Sequence, residues 1–220
     1  MTEAVRAVLF DLDGTLADTA PDLGNALNLQ RIARGLEPMP LEKLRPVVSQ
    51  GARGLLRAGF GLLPEHAGYE AMRDEFLELY AGNLFRETRL FDGMSALLDS
   101  LDGRGTPWGV VTNKQHRFTA PLIEALGLAR RAACVISGDT CARAKPHPDP
   151  LLEAARRLGM AAEACLYLGD DERDMVAGRA ACMLPVVALY GYLGENTDPR
   201  RWDADHAIEH PLELLALLGQ

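Results

Sequence analysis

The sequence predicts an α/β fold, with a parallel sheet core into which an all-helical segment is inserted. From about residue 90 onward, short apolar runs with strand character alternate with stretches whose apolar residues recur at helical spacing. Strands separated by helices in this way form a parallel sheet that is covered on both faces. Residues 18–88 instead contain helical patterns punctuated by glycine and proline, without an alternating strand pattern. The expected architecture is a Rossmann-like core with a helical cap subdomain.

The insertion sets the expected domain boundaries. We assign residues 1–17 and 89–220 to the core and residues 18–88 to the cap. Because the insertion directly follows the acidic end of the first strand, it is well placed to act as a lid over a site there. A segment that merely thickens the fold is the alternative interpretation.

Each expected element follows from a local pattern. Strands are predicted where apolar runs have strand length, and helices where apolar residues recur every three or four positions. The predicted strands are an apolar run that ends at 10 and the runs 108–113, 133–138, 164–171, 184–192 and 205–208. The predicted helices include 20–36, 69–85, 116–128, 150–160, one that ends at 180, and 211–219.

Four of the predicted strands end in polar residues. In a parallel sheet covered by helices, ligands bind in the crevice outside the carboxyl ends of the strands. We therefore expect these polar residues to meet at one edge of the sheet, and this shared position is stronger evidence for a site than any single motif. They are Asp11, Thr112 with Asn113, Ser137 with Gly138, and Asp170 with Asp171.

Two aspartates follow the first strand and are separated only by Leu12. Because side chains alternate along a strand, Asp11 and Asp13 are expected to point the same way. Two like charges held together in a desolvated place cost free energy unless a cation offsets their repulsion. Mg²⁺ commonly takes one or two carboxylates together with water and substrate phosphate, and Mn²⁺ suits the same oxygen donors. A turn cap is the alternative, but it explains only one of the two aspartates.

Composition excludes several classes of partner. The 220 residues carry a formal net charge of −8, with no long basic run, which argues against nucleic acid and anionic membrane surfaces. No stretch approaches the roughly 18 consecutive apolar residues of a membrane span. The four cysteines form no CxxC pair, which argues against structural zinc and favours free thiols. With no signal-like segment at the N-terminus, we expect a cytoplasmic protein.

Four short motifs then occur in order along nearly the whole chain. They are DLDGT at 11–15, VVTNK at 110–114, Lys145 within AKPHPDP, and GDDERD at 169–174. Together they resemble the four motifs of the haloacid dehalogenase (HAD) superfamily of phosphatases. The helical insertion between the first two motifs resembles the cap of the phosphoglycolate phosphatase and β-phosphoglucomutase group. The resemblance implies the HAD fold and an enzyme that transfers phosphoryl groups.

The resemblance also implies catalytic roles. Asp11 would attack phosphorus to form an aspartyl-phosphate. Asp13 would protonate the leaving alcohol and later activate water. Thr112 and Asn113 would hold phosphoryl oxygens, and Lys145 would neutralise the nucleophile and the developing charge.

A Mg²⁺ site is implied at the same place. Its ligands would be the Asp11 carboxylate, the backbone carbonyl of Asp13 and the carboxylate of Asp170. Either Asp171 or Asp174 would support the site from outside the direct ligands. For Asp171, capping the following helix is an equally weighted alternative.

The cap is expected to decide the substrate, because the core recognises only a phosphoryl group. Residues 48–56, VSQGARGLL, resemble the loop of this cap type that enters the active site. Arg53 is its candidate contact for an anion or a sugar. An arginine on the outer surface of a helix is the alternative.

Two substrates fit the resemblance. Residues 108–114 and the segment 189–215 resemble the bacterial N-acetylmuramic acid 6-phosphate phosphatases, and the cap resembles that of the phosphoglycolate phosphatases. We therefore expect a small phosphorylated metabolite as partner, with a slight preference for the amino-sugar phosphate, and a monomer or homodimer. A β-phosphoglucomutase-type mutase shares the four motifs and stays open. A dehalogenase lacks the second aspartate, and a receiver-like signalling module is shorter and has no cap.

Overall fold

The strands of the protein were defined in a computed structural model that describes residues 5–195 and 197–218. Residues 1–4, 196, 219 and 220, which belong to the predicted core, lie outside the described residues. The strands are β1 (Ala7–Phe10), β2 (Ala17–Asp18), β3 (Arg89–Leu90), β4 (Trp108–Val111), β5 (Cys134–Ile136), β6 (Cys165–Gly169), β7 (Leu184–Ala188) and β8 (His206–Ile208).

The helices divide between the insertion and the sheet region. Among the described residues, none of them combines the length and the apolar character that crossing a bilayer requires. Short 3₁₀ helices cover 45–50, 162–164, 199–201 and 211–217. The α-helices are α1 (Ala20–Ile32), α2 (Leu41–Leu44), α3 (Gly51–Phe60), α4 (Tyr69–Ala81), α5 (Met94–Arg104), α6 (His116–Ala125), α7 (Asp149–Leu158) and α8 (Glu172–Ala180).

Six strands form one parallel sheet in the order β5-β4-β1-β6-β7-β8. The first strand lies in the middle, between β4 and β6, so its carboxyl end is flanked by the ends of both neighbours. Alternate residues of β1 enter two different apolar clusters: Val8 and Phe10 on one face of the sheet, Ala7 and Leu9 on the other. This two-sided burial is the arrangement that a fully covered parallel sheet requires. The predicted α/β class with a helical cap is confirmed.

The predicted C-terminal helix differs in type. Residues 211–217 form a 3₁₀ helix, in which residues three apart lie on one side. Pro211 and Leu214 are buried, Leu217 is partly buried, and the residues directly after Pro211 are exposed. Because the apolar positions have a period of three here, the tighter helix buries them better than an α-helix would. The other predicted helices and strands exist, with ends a few residues shorter than expected.

The insertion has a core of its own. An apolar cluster joins α1, α3, α4 and the 3₁₀ helix at 45–50, and it includes Phe76 and Tyr80. Among the described residues, Phe118 and Tyr192 are the two buried members of this cluster that come from the sheet region. The two chain connections cross at β2 and β3, which pair antiparallel with Ala17 opposite Leu90. The sequence pattern did not predict this pairing, and the boundaries at 17/18 and 88/89 stay a prediction.

Asp22 ties the start of α1 to the segment that returns from the cap. Its buried carboxylate accepts hydrogen bonds from the backbone N–H groups of Arg86, Glu87 and Thr88, at 3.1, 2.9 and 3.0 Å. It also accepts one from the Thr88 hydroxyl at 2.7 Å. The two chain crossings are therefore held together by one side chain.

Replacing Asp22 by Ala is expected to lower the free energy of unfolding by about 3 kcal/mol, because the buried N–H and hydroxyl of Thr88 and the partly buried N–H groups of Arg86 and Glu87 lose their acceptor. Urea unfolding followed by circular dichroism measures the change. Asp74→Ala is the matched control, since its ion pair with Arg73 is solvent-exposed and contributes little. Equal unfolding midpoints for the two variants would contradict the role given to Asp22.

Candidate active site

Polar residues follow the carboxyl ends of three strands of the sheet. Asp11 follows β1 and continues the ladder, with its N–H donating to Leu168 O at 2.9 Å. Thr112 follows β4 and donates its N–H to Ile136 O at 2.9 Å. Asp170 follows β6. Three of the four expected strand ends therefore meet here, whereas Ser137 and Gly138, which follow β5, are not among the residues that line the cavity at this edge of the sheet.

The Asp11, Asp170 and Asp174 carboxylates form a cluster in which one oxygen of each lies within 4.8 Å of the others. Burial raises the pKa of Asp11 to about 7; Lys145 acts in the opposite direction, and Asp174 and Asp13 add repulsion. Burial, and then repulsion from Asp11 and Asp174, raises the pKa of Asp170 well above its usual range. The protein therefore holds three mutually repelling acids in a desolvated place.

Lys145 is the cation inside this cluster. Its Nζ lies 2.9 Å from Asp11 Oδ1 and 2.8 Å from Asp174 Oδ1, and it donates to Val111 O and to the Tyr167 hydroxyl. Burial opposes its charge, but the two carboxylates together raise the pKa of Lys145. The ammonium is therefore permanently charged at neutral pH and offsets part of the repulsion.

Asp170 is fixed by close backbone on two sides. A Cβ placed on Gly14 or Gly191 would lie 2.1 or 2.3 Å from Asp170 side-chain atoms, so only glycine fits at either position. Its carboxylate accepts hydrogen bonds from Thr15 Oγ1 at 3.1 Å and from Tyr192 N at 2.9 Å. This cradle holds the carboxylate in place within the cluster.

These residues fit a divalent cation. One ammonium faces three carboxylates, so negative charge is in excess, and the donors are all oxygen, which suits Mg²⁺ or Mn²⁺. The buried Oδ1 of Asp11 is ion-paired with Lys145 but accepts no hydrogen bond from the described residues. Asp11, Asp170 and Asp174 would provide the carboxylates. The Asp13 carboxylate lies outside this cluster, so only its backbone carbonyl suits the predicted role.

Asp13 faces a different set of partners. Its Oδ1 accepts a hydrogen bond from the Thr19 hydroxyl at 2.5 Å and pairs with Lys114 Nζ at 2.9 Å. The Lys114 side chain is only 8% exposed, and its ammonium also lies over the ring of Tyr80, 4.8 Å from the centroid. Asp13 thus lies on the cavity wall but outside the acidic cluster.

Asp171 caps helix α8. Its side chain accepts from Arg173 N, while Asp174 Oδ2 accepts from Asp171 N, which is a capping box. The Arg173 guanidinium pairs with the same carboxylate and also donates to Ser49 O of the cap at 2.6 Å. This geometry supports the capping interpretation of Asp171 and gives Asp174 the place inside the cluster.

The predicted phosphate contacts line one cavity. Thr112 and Asn113 lie on its wall next to Asp11 and Lys145. The Asn113 side chain also donates to Lys145 O at 2.9 Å and accepts from Lys145 N at 3.0 Å. Asn113 therefore orients the loop that carries the lysine, a role that the sequence did not reveal.

The cavity has a volume of about 360 Å³ and lies between core and cap. The sheet side provides most of the charged groups, and the cap provides Arg73, Ser49 and Gln50 together with an apolar surface that includes Leu23, Val48, Phe76 and Tyr80. Arg53 does not line it: the side chain is exposed, whereas its neighbours from Val48 to Ala52 do line the cavity. The prediction that Arg53 contacts substrate stays a prediction.

Several residues of the site were not predicted from the sequence. Tyr80, Tyr167 and Tyr192 lie in apolar runs, where a tyrosine is indistinguishable from ordinary core. Lys114 belongs to the second motif, but nothing in the sequence indicates that its ammonium pairs with Asp13. The period of α4, which places Tyr80 one turn after Phe76, was the one available signal that both face the same side.

Comparisons with known proteins agree on the family. Residues 8–188 match the model of the haloacid dehalogenase-like hydrolase family. The chain is 48% identical over 209 residues to a phosphoglycolate phosphatase of Xanthomonas campestris, covering 95% of this chain and 94% of the relative. It is 41% identical over 216 residues to the N-acetylmuramic acid 6-phosphate phosphatase of Pseudomonas aeruginosa, covering 98% and 96%.

The fold has solved counterparts. The crystal structure of a predicted phosphoglycolate phosphatase from Haemophilus somnus superposes with a TM-score of 0.85 at 24% identity, covering 97% of both chains. The predicted superfamily and the predicted class of enzyme, a phosphatase, are confirmed by these matches together. The chain belongs to the haloacid dehalogenase-like hydrolase family.

Proposed function

We propose that the protein is a Mg²⁺-dependent phosphomonoester hydrolase that works through an aspartyl-phosphate on Asp11. The observation that carries the proposal is the position of Asp11, which lies on the wall of the cavity in contact with Lys145, while Asp13 faces the same cavity beside Lys114. A nucleophile and a separate acid–base group thus line the same cavity.

The reaction needs two displacements at phosphorus. In the first, an Asp11 oxygen bonds to phosphorus, the bond to the leaving oxygen breaks, and Asp13 gives that oxygen a proton. In the second, Asp13 takes a proton from water as the water oxygen attacks phosphorus, and Asp11 is released together with inorganic phosphate. Lys145 offsets charge on the transferring group throughout, and Thr112 and Asn113 orient its oxygens.

The three clustered carboxylates would hold the metal ion, with Asp13 adding its backbone carbonyl. When bound, a divalent cation supplies positive charge that offsets carboxylate repulsion and draws phosphoryl oxygens into the site. The protein's own contribution is to fix Asp170 between Gly14 and Gly191 and to keep Asp174 in contact with Lys145.

We propose N-acetylmuramic acid 6-phosphate as the preferred substrate, ahead of 2-phosphoglycolate. Pockets of roughly 300–1,000 Å³ suit ligands far larger than a two-carbon phosphate, and the cavity here is about 360 Å³. Leu23, Val48 and Phe76 of its cap wall suit the faces of a sugar ring, and Arg73 on the same wall suits a carboxylate, which both substrates carry. Relatives of both names match nearly the whole chain.

Phosphate release from N-acetylmuramic acid 6-phosphate, 2-phosphoglycolate and several hexose phosphates tests the proposal. We expect activity with Mg²⁺, loss of activity with EDTA and return with added Mg²⁺ or Mn²⁺. The amino-sugar phosphate should show the highest kcat/KM, by a factor of about 10 or more, because a cavity-filling leaving group gains more binding energy. Activity that persists in EDTA would contradict the metal-dependent mechanism.

Product analysis separates the mutase alternative. A phosphatase releases inorganic phosphate, whereas a phosphomutase returns an isomeric sugar phosphate with no net release. We further propose a cytoplasmic location, consistent with the four unpaired cysteines, and a small phosphorylated metabolite as the partner of a monomer or homodimer.

A further inference from the structure

Tyr80 brings a buried polar group to the cap wall of the cavity. It lies on helix α4, is 1% exposed, and lines the cavity together with Phe76 and Phe118. The tyrosine ring packs against Phe118, with 5.4 Å between ring centroids. These contacts fix the ring, so the hydroxyl has one position relative to the cavity.

No described residue accepts a hydrogen bond from the Tyr80 hydroxyl; the Lys114 ammonium interacts with the hydroxyl oxygen but, having donors only, cannot take its proton. An unpaired buried hydroxyl costs free energy, so such groups normally have a partner in the protein or a ligand. Burial raises the pKa of Tyr80 to about 12, so the hydroxyl keeps its proton at neutral pH and can donate it. The fold therefore maintains a donor that its own described atoms do not use.

Lys114 contacts both Tyr80 and Asp13. The lysine ammonium lies over the Tyr80 ring and pairs with Asp13 on its other side, at 2.9 Å. Asp13 is the group that protonates the leaving oxygen in the proposed reaction. Tyr80 is thus one side chain away from Asp13 on the cap side of the cavity.

We infer that Tyr80 is a specificity-determining residue, whose hydroxyl donates a hydrogen bond to an oxygen acceptor on a bulky leaving group. The inference rests on the proposed phosphatase function and names its substrate class: phosphate esters of glycosyl size, with an apolar face and a hydroxyl, ether or amide oxygen beyond the ester linkage. The cavity wall fits this class, since Leu23, Val48 and Phe76 line the same cavity as Tyr80 with apolar surface.

Tyr80→Phe tests the inference, because it removes only the hydroxyl and keeps the ring beneath Lys114. We compare kcat/KM for N-acetylmuramic acid 6-phosphate with that for phenyl phosphate, whose leaving group has an apolar face but no oxygen beyond the ester linkage. The ratio of the two is expected to fall about 10- to 100-fold, the value of one lost hydrogen bond in a desolvated site.

Tyr69→Phe is the matched control. Tyr69 begins the same helix and packs in the same apolar cluster, but it does not line the cavity. Its substitution should leave the ratio of kcat/KM values within about twofold, since no hydrogen bond to substrate is removed. Calorimetric titration of the Asp11→Asn and Asp11→Asn/Tyr80→Phe proteins with N-acetylmuramic acid 6-phosphate should show weaker binding for the second.

Three other outcomes would contradict the role of the hydroxyl, the substrate class or the phosphatase function, and each can be told from the others. If Tyr80→Phe lowers kcat/KM equally for both esters, the hydroxyl has a structural role only. If the wild-type protein prefers 2-phosphoglycolate to the amino-sugar phosphate, the predicted substrate class is wrong while the phosphatase chemistry stands. If the wild-type protein releases phosphate from none of the esters in the presence of Mg²⁺, the proposed function itself fails.

Discussion

Replacing Asp11 by Asn is expected to abolish turnover while the fold stays intact. An amide oxygen is a poor nucleophile towards phosphorus, and no other carboxylate of the cluster can replace it, because Asp170 is cradled by Gly14 and Gly191 and Asp174 is held by Lys145 and the Asp171 N–H. Removing a nucleophile from a cooperating set costs about 10⁴-fold or more in kcat. Steady-state phosphate release with Mg²⁺ measures the loss.

The control for this substitution is Asp149→Asn, which changes a carboxylate that pairs with the exposed Arg143 far along the chain. Wild-type kcat is expected for it. Acid-stable labelling with a radiolabelled substrate adds a second readout, since an aspartyl-phosphate forms on the wild-type chain and not on Asp11→Asn. Mg²⁺-dependent turnover retained by Asp11→Asn would exclude Asp11 as the nucleophile.

Although Asp11→Asn abolishes turnover, it is expected to stabilise the metal-free protein. The pKa of Asp11 is raised from 3.8 to about 7 in the fold. An ionised Asp11 therefore destabilises the metal-free protein, and the destabilisation grows as the pH rises from about 4 to 7 and persists above. In EDTA at pH 8, Asp11→Asn should have the higher Tm, by about 2–4 °C for each kcal/mol recovered. The difference should shrink as the pH is lowered to 5.

The positions of the catalytic acids were predictable because they depend on local patterns. A buried strand that ends in Asp11, and another that ends in Asp170, are visible as apolar runs followed by carboxylates. Parallel topology then brings those ends together, as β1 and β6 are neighbours. Lys145 was predicted only through the family motif, because nothing in a proline-rich loop indicates that its lysine is buried.

The cap side of the site was less predictable because it depends on helix phase and long-range packing. Arg53 and Ala52 are neighbours in the chain, yet helix α3 begins at Gly51 and turns the arginine to solvent while Ala52 lines the cavity. Tyr192 donates its backbone N–H to Asp170, and its hydroxyl accepts from the N–H groups of Thr19 and Ala20. Thr19 and Ala20, at the start of α1, are more than 170 positions away from Tyr192 in the sequence. No local pattern in the sequence specifies such contacts.

Lys145→Met is expected to give the second large loss, because the lysine has both a catalytic and a structural role. Its ammonium contacts Asp11 and Asp174 and donates to Val111 O and the Tyr167 hydroxyl. Without it, the repulsion between the carboxylates rises and charge on the transferring phosphoryl group is no longer offset. A kcat lower by about 10²- to 10³-fold is expected from the loss of one such electrostatic contact.

Stability gives an independent measure of the same substitution. Removing one partner of a buried ion pair leaves the other charge uncompensated, which costs about 3–5 kcal/mol. In EDTA, where no cation replaces the ammonium, Lys145→Met should therefore unfold at lower urea concentration than the wild-type protein. Saturating Mg²⁺ should recover more stability in the variant than in the wild-type protein, because a cation then offsets the same carboxylates.

Lys43→Met provides the control, since Lys43 is exposed on helix α2. We expect it to keep wild-type kcat and stability. Lys145→Arg tests whether charge alone suffices: a planar guanidinium cannot reproduce the compact ammonium among Asp11, Asp174, Val111 O and Tyr167, so it should recover little activity. If Lys145→Met keeps wild-type kcat, then the metal site alone offsets the phosphoryl charge, and the lysine serves only to hold the acidic cluster together.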